Sequence, residues 1–579
     1  MQEFENFSIS DNETIQNGGS NQDITIKYKK FKIKQKVETM DDYCYPKKFK
    51  LQPQQEFISE YFSSKQSPPG MLLFHQIGAG KTCAAISVAE KMKHKYNIMV
   101  VLPSSLIGNF MDELRSPCPG DEKYIKKEET IKLLKLNPAD LEYQKIIKKT
   151  EERISKYYTI YSYHKFVQLA QKNKIKLNDT LLIVDEVQNM VSLTGTFYKV
   201  LKNEIDKSND SLKILILSAT PMFDKPSEIG LTLNLLKPKV EFPVGLEFNN
   251  TFLIRKNRQY FLKNQDEFYK LNKNLISYYR GAPQIAYPEE IFKVVKCQMS
   301  DFQYKSYLTA LSADGDYIKG AFKDVDILNL PTHFSLGTRM VSNIAYPNKS
   351  IGETGLTSLS YDNLQLQNIC KYSIKFLKIL KKIKKSDGPA FVYSNFKELG
   401  GIRAFIKFIE YNGYQNYKVH GEGEFRYAVW TGDEKYAMKE EIKTIFNQFD
   451  NNDGSKIKII IGSPSSKEGI SFKRVRQVHI LEPFWNMSRV LQIIGRAIRF
   501  CSHKDIPKKE RVVEVFLYLA THVGVETIDQ YIWSLAKQKN KMIAEFETLL
   551  KESAVDCELF YNRNVYPTDE YKLKCITDK

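Results

Sequence analysis

Cysteine is scarce and scattered in this 579-residue chain: there are eight, and no two are spaced as Cys-x-x-Cys. That spacing argues against a zinc module and, in a chain long enough to bury its own cores, against a disulfide framework. The setting expected is reducing and aqueous. No apolar run approaches the ~20 residues that a membrane-spanning helix needs, and the first residues lack the profile of a secretory leader. No membrane partner is expected. Tandem repeats are absent too, which removes solenoids and propellers. Acidic charge is in deficit: 68 Asp and Glu face 86 Lys and Arg, so the net charge is +18. Such a surplus suits a polyanionic partner, nucleic acid first, without separating DNA from RNA. A hydrophobic content of 42% with 27% charged residues is that of a globular chain.

Three stretches carry chemistry. His75-Gln-Ile-Gly-Ala-Gly-Lys-Thr82 follows the apolar run Met71–Phe74 and precedes a helical pattern. That strand–loop–helix context is what a phosphate loop needs: Gly78 and Gly80 turn backbone N–H groups inward, and the helix N-terminus adds its dipole. Lys81 then reaches the β- and γ-phosphates of ATP, and the Thr82 hydroxyl ligates Mg²⁺. The strict pattern has glycine where this chain has His75. Leu181-Leu-Ile-Val-Asp-Glu-Val-Gln188 reads as a buried parallel strand ending in two carboxylates at the ligand-bearing edge of an open sheet. Asp185 suits the magnesium shell, and Glu186 suits orienting and deprotonating the attacking water. In Gln492-Ile-Ile-Gly-Arg-Ala-Ile-Arg499 the spacing predicts a helix on which Arg496 and Arg499 share a face, with Gln492 nearby. Their planar forks suit a γ-phosphate presented by another domain.

The fold class expected is α/β, two lobes with parallel sheets flanked by helices. Residues 1–40 read as a flexible N-terminal arm and 41–236 as the ATP-binding lobe, with short apolar runs at Ile98–Leu102, Leu181–Val184 and Ile214–Leu217. Residues 237–385 read as a connecting and insertion segment. Residues 386–520 carry a second βα series (Ala390–Tyr393, Ala428–Trp430, Ile457–Ile461, Val478–Leu481, Val512–Leu517), and 521–579 read as a helical extension. Glu468 and Gly469 follow the strand Ile457–Ile461, a place for ribose contact or equally for a tight βα turn. Trp430 and Trp485 read as packing rather than base-stacking residues, His75 and His479 as packing or hydrogen-bonding residues rather than ligands, and the lysines of Lys375–Lys385 as a solvated helix face.

The chain resembles superfamily II helicase-type ATPases, which implies that its two lobes are RecA-like. Beyond the three stretches, Leu51-Gln-Pro-Gln-Gln55 is similar to the adenine-recognising motif, which implies Gln55 as a nucleotide contact. Leu102-Pro-Ser-Ser-Leu106 and Tyr161-Ser-Tyr163 resemble loops that grip the nucleic-acid backbone, which implies Pro103, Ser104, Ser105, Ser162 and Tyr163. Leu217-Ser-Ala-Thr-Pro221 resembles the motif that couples hydrolysis to lobe movement. Phe391-Val-Tyr-Ser-Asn-Phe396, Arg339-Met-Val-Ser-Asn343 and Lys551-Glu-Ser-Ala-Val-Asp-Cys557 are similar to one viral branch: the nucleoside triphosphatase I and early transcription factor small-subunit proteins of large cytoplasmic DNA viruses. That resemblance implies nucleic-acid contacts at Ser394 and Asn395, and a DNA-stimulated ATPase, DNA favoured over RNA. It also implies a viral RNA polymerase or transcription-factor partner and a place in the cytoplasmic viral factory or the virion. An ATP-dependent RNA helicase and a non-catalytic transcription-factor subunit stand as alternatives. The branch commonly has histidine where this chain has Gln188, which puts coupling between Glu186 and the arginine stretch in question.

Overall fold

The structure, a computed structural model, describes residues 20–34, 39–136, 140–256, 259–314, 335–464 and 471–576. Two parallel sheets dominate them. The first comprises β1 (Gly70–His75), β2 (Asn97–Leu102), β3 (Tyr158–Ser162), β4 (Thr180–Asp185), β5 (Lys213–Ser218) and, beyond a small antiparallel hairpin of β6 (Leu253–Lys256) and β7 (Gln259–Leu262), β8 (Ile276–Tyr279). Its order is β3-β2-β4-β5-β1-β8. The second comprises β9 (Glu289–Gln298), β10 (Ala390–Tyr393), β11 (Gln415–Asn416), β12 (Arg426–Trp430), β13 (Ile459–Gly462), β14 (Gln477–Ile480) and β15 (Val512–Thr521), in the order β11-β12-β13-β10-β14-β15-β9.

Parallel strands need helical crossovers on both faces, so central strands are buried on both sides and read as unbroken apolar runs. β1, β4 and β10 are buried at every position. That is why the sequence runs located them within a residue or two. The carboxyl ends of β1 and β4 lie on either side of β5, at one edge of the first sheet. An open α/β sheet presents its ligand-binding loops there.

Several expectations are corrected. Residues 20–34, assigned to a flexible arm, form the helix Asn21–Lys27 with a Ser20–Asp23 capping box. Ile24, Tyr28 and Phe31 are buried against the first lobe, Tyr28 lying edge-on to Phe57 at 5.3 Å. The rest of the expected arm lies outside the described residues, apart from Thr39 and Met40. The span 237–385 is shared between the lobes: β8 completes the first sheet and β9 the second. Six of the eight cysteines are paired, as Cys44–Cys501, Cys83–Cys118 and Cys557–Cys575, with Cα separations of 5.5, 5.8 and 5.6 Å. The absence of paired spacing could not reveal contacts made by distant segments. Among the described residues no helix is long and apolar enough to cross a membrane.

The C-terminal extension is not an appendage. Its helix Ile528–Glu552 starts at a Thr527–Gln530 capping box and, at 25 residues, runs about 37 Å. The first turns bury Ile528 and Ile532 with Met299, Tyr307 and Val341 of the second lobe. The last turns bury Met542, Ile543, Phe546, Leu549 and Leu550 in the core of the first. One rigid element therefore sits in both cores. Lys375, expected on a solvated face, is fully buried and pairs with Asp529 of this helix at 2.6 Å. Phe546 packs between Phe248 and Phe268, at 5.4 and 5.5 Å between ring centres. Phe546→Ala is expected to destabilise the protein by ~3–5 kcal/mol in denaturant unfolding, a cavity cost. A change below ~1 kcal/mol would show that the helix is not part of the first lobe's core.

Candidate active site

β1 delivers the chain into the phosphate loop, and the helix Lys81–Met92 leaves it. Gly78 and Gly80 have φ of 82° and 73°, left-handed values that disfavour other residues. At Gly80 space is decisive as well: a Cβ would stand 2.5 Å from the Gln55 amide nitrogen. Gln55 is held there because its Nε2–H donates to the Gly80 carbonyl at 3.1 Å and its Oε1 accepts the Gln52 N–H at 2.8 Å. Gln54 donates likewise to the Ala79 carbonyl at 3.2 Å. Two adjacent amides thus clasp the back of the loop. Gln55, expected to read adenine, is buried and committed to this clasp.

Asp185 closes β4, and Glu186 follows with φ of 51°. A bulky residue in the left-handed region persists only where its surroundings impose it. The Tyr163 hydroxyl does so, donating to the carbonyls of Asp185 and Glu186. Tyr163 is 5% exposed, so it braces the acidic pair and cannot reach a nucleic-acid phosphate from there.

Lys81 is ion-paired with Glu186 and lies 3.9 Å from Asp185. Burial opposes the lysine charge, but the Glu186 and Asp185 carboxylates outweigh it and hold its pKa above the ordinary value. Burial likewise pushes Glu186 up, and Lys81 more than reverses it. Gln188 donates to the other Glu186 oxygen at 2.5 Å and accepts from Ser218 at 2.7 Å; Ser218 Oγ in turn accepts the Thr220 N–H at 3.0 Å. The glutamine standing where the viral branch has histidine therefore bridges the acidic pair to the Ser218-Ala-Thr220 turn.

From the second lobe, the helix Met487–Ile494 brings Gln492 to the same place. This helix stops at Gly495, so Arg496 and Arg499 lie in the turn beyond it rather than on a helical face as expected. They are aimed by other means: Arg496 Nε donates to the Gln492 carbonyl at 3.2 Å and Arg499 Nε to that of Gly495 at 2.7 Å. Burial pulls the Arg499 pKa down to about 10 while Glu186 opposes it, and the guanidinium stays charged at neutral pH. Gly78, Gly80, Lys81, Thr82, Asp185, Glu186, Gln492, Arg496 and Arg499 line one cavity of about 230 Å³. Thr220, Ser471, Asn109 and Glu113 line it too, and nothing in the sequence marked Asn109 or Glu113.

Contacts across the lobes hold this register. Ser488 Oγ lies 3.4 Å from the Met222 carbonyl, and Arg489 stacks on Phe484 at 3.7 Å with Phe223 at 6.0 Å. Lys539, 1% exposed and on the helix shared by both cores, pairs with Asp224 at 2.9 Å.

The expected nucleic-acid contacts divide. Ser104 and Ser105 are exposed at the end of β2 beside a buried Pro103. Ser162 caps the next helix, accepting the Lys165 N–H at 3.2 Å. Ser394 is 1% exposed and donates to the buried Glu482 at 3.0 Å, which also accepts from Asn395 N at 2.5 Å. Ser394 is thus an internal brace, and Asn395 Oδ1 accepts from Arg489 at 2.9 Å. Glu468 and Gly469 lie outside the described residues. Trp430 is buried with Phe472, and His479 is buried between Tyr518 and Gln477.

Residues 53–370 match the SNF2-related domain family and 373–501 the helicase conserved C-terminal domain. The chain is 48% identical over 552 residues to "Putative ATP-dependent RNA helicase R563" of Acanthamoeba polyphaga mimivirus, covering 94% of this chain and 96% of that one. It is 27% identical over 563 residues to "Termination factor NPH-I homolog" of African swine fever virus, covering 84% and 76%. The helicase domain of Pyrococcus furiosus Hef aligns at a TM-score of 0.41 and 14% identity, over 83% of this chain and 97% of that one.

Lys81→Ala and Glu186→Gln are expected to abolish ATP turnover, and Arg499→Ala to lower it by ~10³-fold or more. All three should leave nucleic-acid affinity in place. Gln188→Ala should lower kcat by less than Glu186→Gln does, without raising the KM for ATP. Steady-state ATPase and filter-binding assays check these; full turnover in any of the first three contradicts the site.

Proposed function

This chain belongs to the SNF2-related, superfamily II helicase-type ATPases, with relatives in large DNA viruses, and from that premise we propose that it couples ATP hydrolysis to remodelling of DNA during viral transcription. The family makes it a nucleic-acid-dependent ATPase. The observation that carries the reading is the single cavity lined by Lys81, Thr82, Asp185 and Glu186 of one lobe and by Gln492, Arg496 and Arg499 of the other.

Thr82 and Asp185 offer a hydroxyl and a carboxylate on that cavity, a hard-oxygen donor pair of the kind Mg²⁺ accepts while keeping several waters. Held by Thr82 and Asp185, Mg²⁺ would supply positive charge that offsets the charge of the phosphates. Lys81 exchanges Glu186 for the γ-phosphate as ATP seats. Glu186, released on one side and still held by Gln188 on the other, is then free to orient the attacking water and accept its proton. Arg496 and Arg499 add positive charge from the second lobe where the transferred phosphoryl group develops negative charge. Loss of the γ-phosphate removes what both lobes share, and that weakens their closure.

A net charge of +18 and the exposed Ser104 and Ser105 support a grip on the nucleic-acid backbone, which carries little sequence information. Site choice then falls to a partner, and the relative named as a termination factor supports a viral transcription complex in that role. The relative named as an RNA helicase supports the second reading, an ATP-dependent RNA helicase. Intact charged groups in both lobes disfavour a non-catalytic subunit.

The deciding experiment compares ATP turnover with single- and double-stranded DNA and RNA. The first reading expects the larger stimulation from DNA; stimulation by RNA alone overturns it in favour of the second. Affinity for either should fall by ~10³-fold or more between 50 and 200 mM salt if six or more phosphates are neutralised, and a flat profile contradicts backbone gripping.

A further inference from the structure

We propose that Asp556, in the C-terminal segment, is a positioning residue for the ATPase: acting through Ser277, it fixes the ring of His75, where β1 gives way to the phosphate loop. The proposal rests on the ATP-site reading above and extends that site to the Lys551–Cys557 stretch, for which the resemblance implied no role.

The geometry is a buried chain of three side chains. His75, Ser277 and Asp556 are each 0% exposed. His75 Nε2 lies 3.0 Å from Ser277 Oγ, and Ser277 Oγ donates to Asp556 Oδ2 at 2.5 Å. Asp556 Oδ1 accepts the Tyr278 N–H at 2.9 Å. Counting protons assigns the direction. A serine hydroxyl has one hydrogen, and burial pushes the Asp556 pKa up to about 7, so the direction holds above that pH, where the carboxylate is ionised and only accepts. With the Ser277 hydrogen committed to Asp556, the bond to His75 must be supplied by an Nε2–H. The histidine is then the tautomer with a bare Nδ1, and Nδ1 is buried with no hydrogen-bond partner. An orphaned acceptor is better tolerated there than an orphaned N–H. Burial and the neighbouring Lys81 charge keep the ring neutral, its pKa pulled down to about 3.

The same segment laces the outer edge of β8. Val555 N–H donates to the Ile276 carbonyl at 2.9 Å, Asn564 Nδ2 to the Tyr278 carbonyl at 3.1 Å, and Arg280 N–H to Asn564 Oδ1 at 2.9 Å. With Asp556 on Tyr278 N–H, consecutive outward-facing backbone groups of an edge strand are satisfied by side chains and turns rather than by another strand. On its inner side β8 holds the start of the loop, since the Tyr279 carbonyl accepts the Gln76 N–H at 3.0 Å. The Gln76 carbonyl accepts the Ala79 N–H at 3.0 Å, one turn before Lys81. An imidazole thus stands where the strict phosphate loop has glycine, and its orientation is set from the far end of the chain.

The role is separable from mere packing. Misplacing the loop weakens the grip on phosphate without touching Glu186, so the loss falls on ATP binding rather than on the chemical step. Full-length Ser277→Ala, Asp556→Asn and Asp556→Ala are compared with the wild type in three measurements: affinity for a fluorescent ATP analogue without turnover, steady-state kinetics, and thermal melting. The expected result for Ser277→Ala and Asp556→Ala is about a tenfold or greater loss of analogue affinity and rise in KM, with kcat at saturation within about threefold. Asp556→Asn reverses the chain, its amide donating to Ser277 and Ser277 donating to His75. Above about pH 8, where the wild-type Asp556 is ionised, the ¹⁵N signals of His75, assigned with a His75→Gln control, should show the proton moved from Nε2 in the wild type to Nδ1 in the variant. Should Asp556→Ala fail to fold, Ser277→Ala carries the affinity test, since it removes one hydroxyl and leaves Asp556 on Tyr278. Unchanged analogue affinity in Ser277→Ala, or a fall in kcat and melting temperature at constant KM, overturns the proposal. A wild type that binds the analogue and hydrolyses nothing would instead count against the ATPase reading beneath it.

Discussion

Lys81 paired with Glu186, facing Arg496 and Arg499 across a small cavity, is the arrangement on which the rest of this structure depends. Lys81, Arg496 and Arg499 share the cavity with the carboxylates of Asp185, Glu186 and Glu113, in surroundings that solvate charge poorly. A polyphosphate is the kind of ligand that the lysine and the two guanidinium groups would hold together. On the proposed function, the pairing would also set the order of events: while Lys81 holds Glu186 the carboxylate would not be free to act on water, and seating of the γ-phosphate would separate them. Activation of the base would then be tied to occupancy of the phosphate site. Gln188 holds Glu186 from its other side and links it through Ser218 to the Thr220 N–H.

What sequence could show here followed from chemistry that must be contiguous. A phosphate loop needs its glycines and lysine within one turn, and a strand end must carry its carboxylates side by side, so Gly78–Thr82 and Asp185–Glu186 were legible. Parallel strands buried on both faces were legible as apolar runs. Contacts that join distant segments were not. Nothing local in Tyr163 says that its hydroxyl reaches the backbone of Asp185, nor in Gln55 that its amide clasps the loop instead of a base. Lys375 sits in a lysine-rich helix and pairs with an aspartate more than a hundred residues away. The cysteine pairs failed to show for the same reason. Arg496 and Arg499 were expected on a helical face, but their helix ends at Ile494 and the turn beyond it aims them into the cavity.

The helix Ile528–Glu552 changes how the two lobes should be thought of. Hinged lobes are commonly pictured as separate bodies joined by a linker, yet here one helix is seated in both cores and places Lys539 on Asp224, in the loop after the Ser218-Ala-Thr-Pro221 turn. Motion between the lobes must bend this helix, slide it in one core, or break that buried pair, which would leave a charge without its partner. Lobe movement is then a small excursion about a closed arrangement, with Ser488 against Met222 and Arg489 against Phe223 as the contacts that shift. A cavity already lined by charged groups of both lobes fits that picture.

A structure of the full chain bound to a non-hydrolysable ATP analogue and Mg²⁺ tests the central claim most directly. The account predicts a γ-phosphate within hydrogen-bonding distance of Lys81 on one side and of Arg496 or Arg499 on the other, with the Lys81–Glu186 pair broken and Glu186 turned to the in-line water. A γ-phosphate held by the first lobe alone, with Lys81 still on Glu186 and both guanidinium groups directed elsewhere, would contradict it.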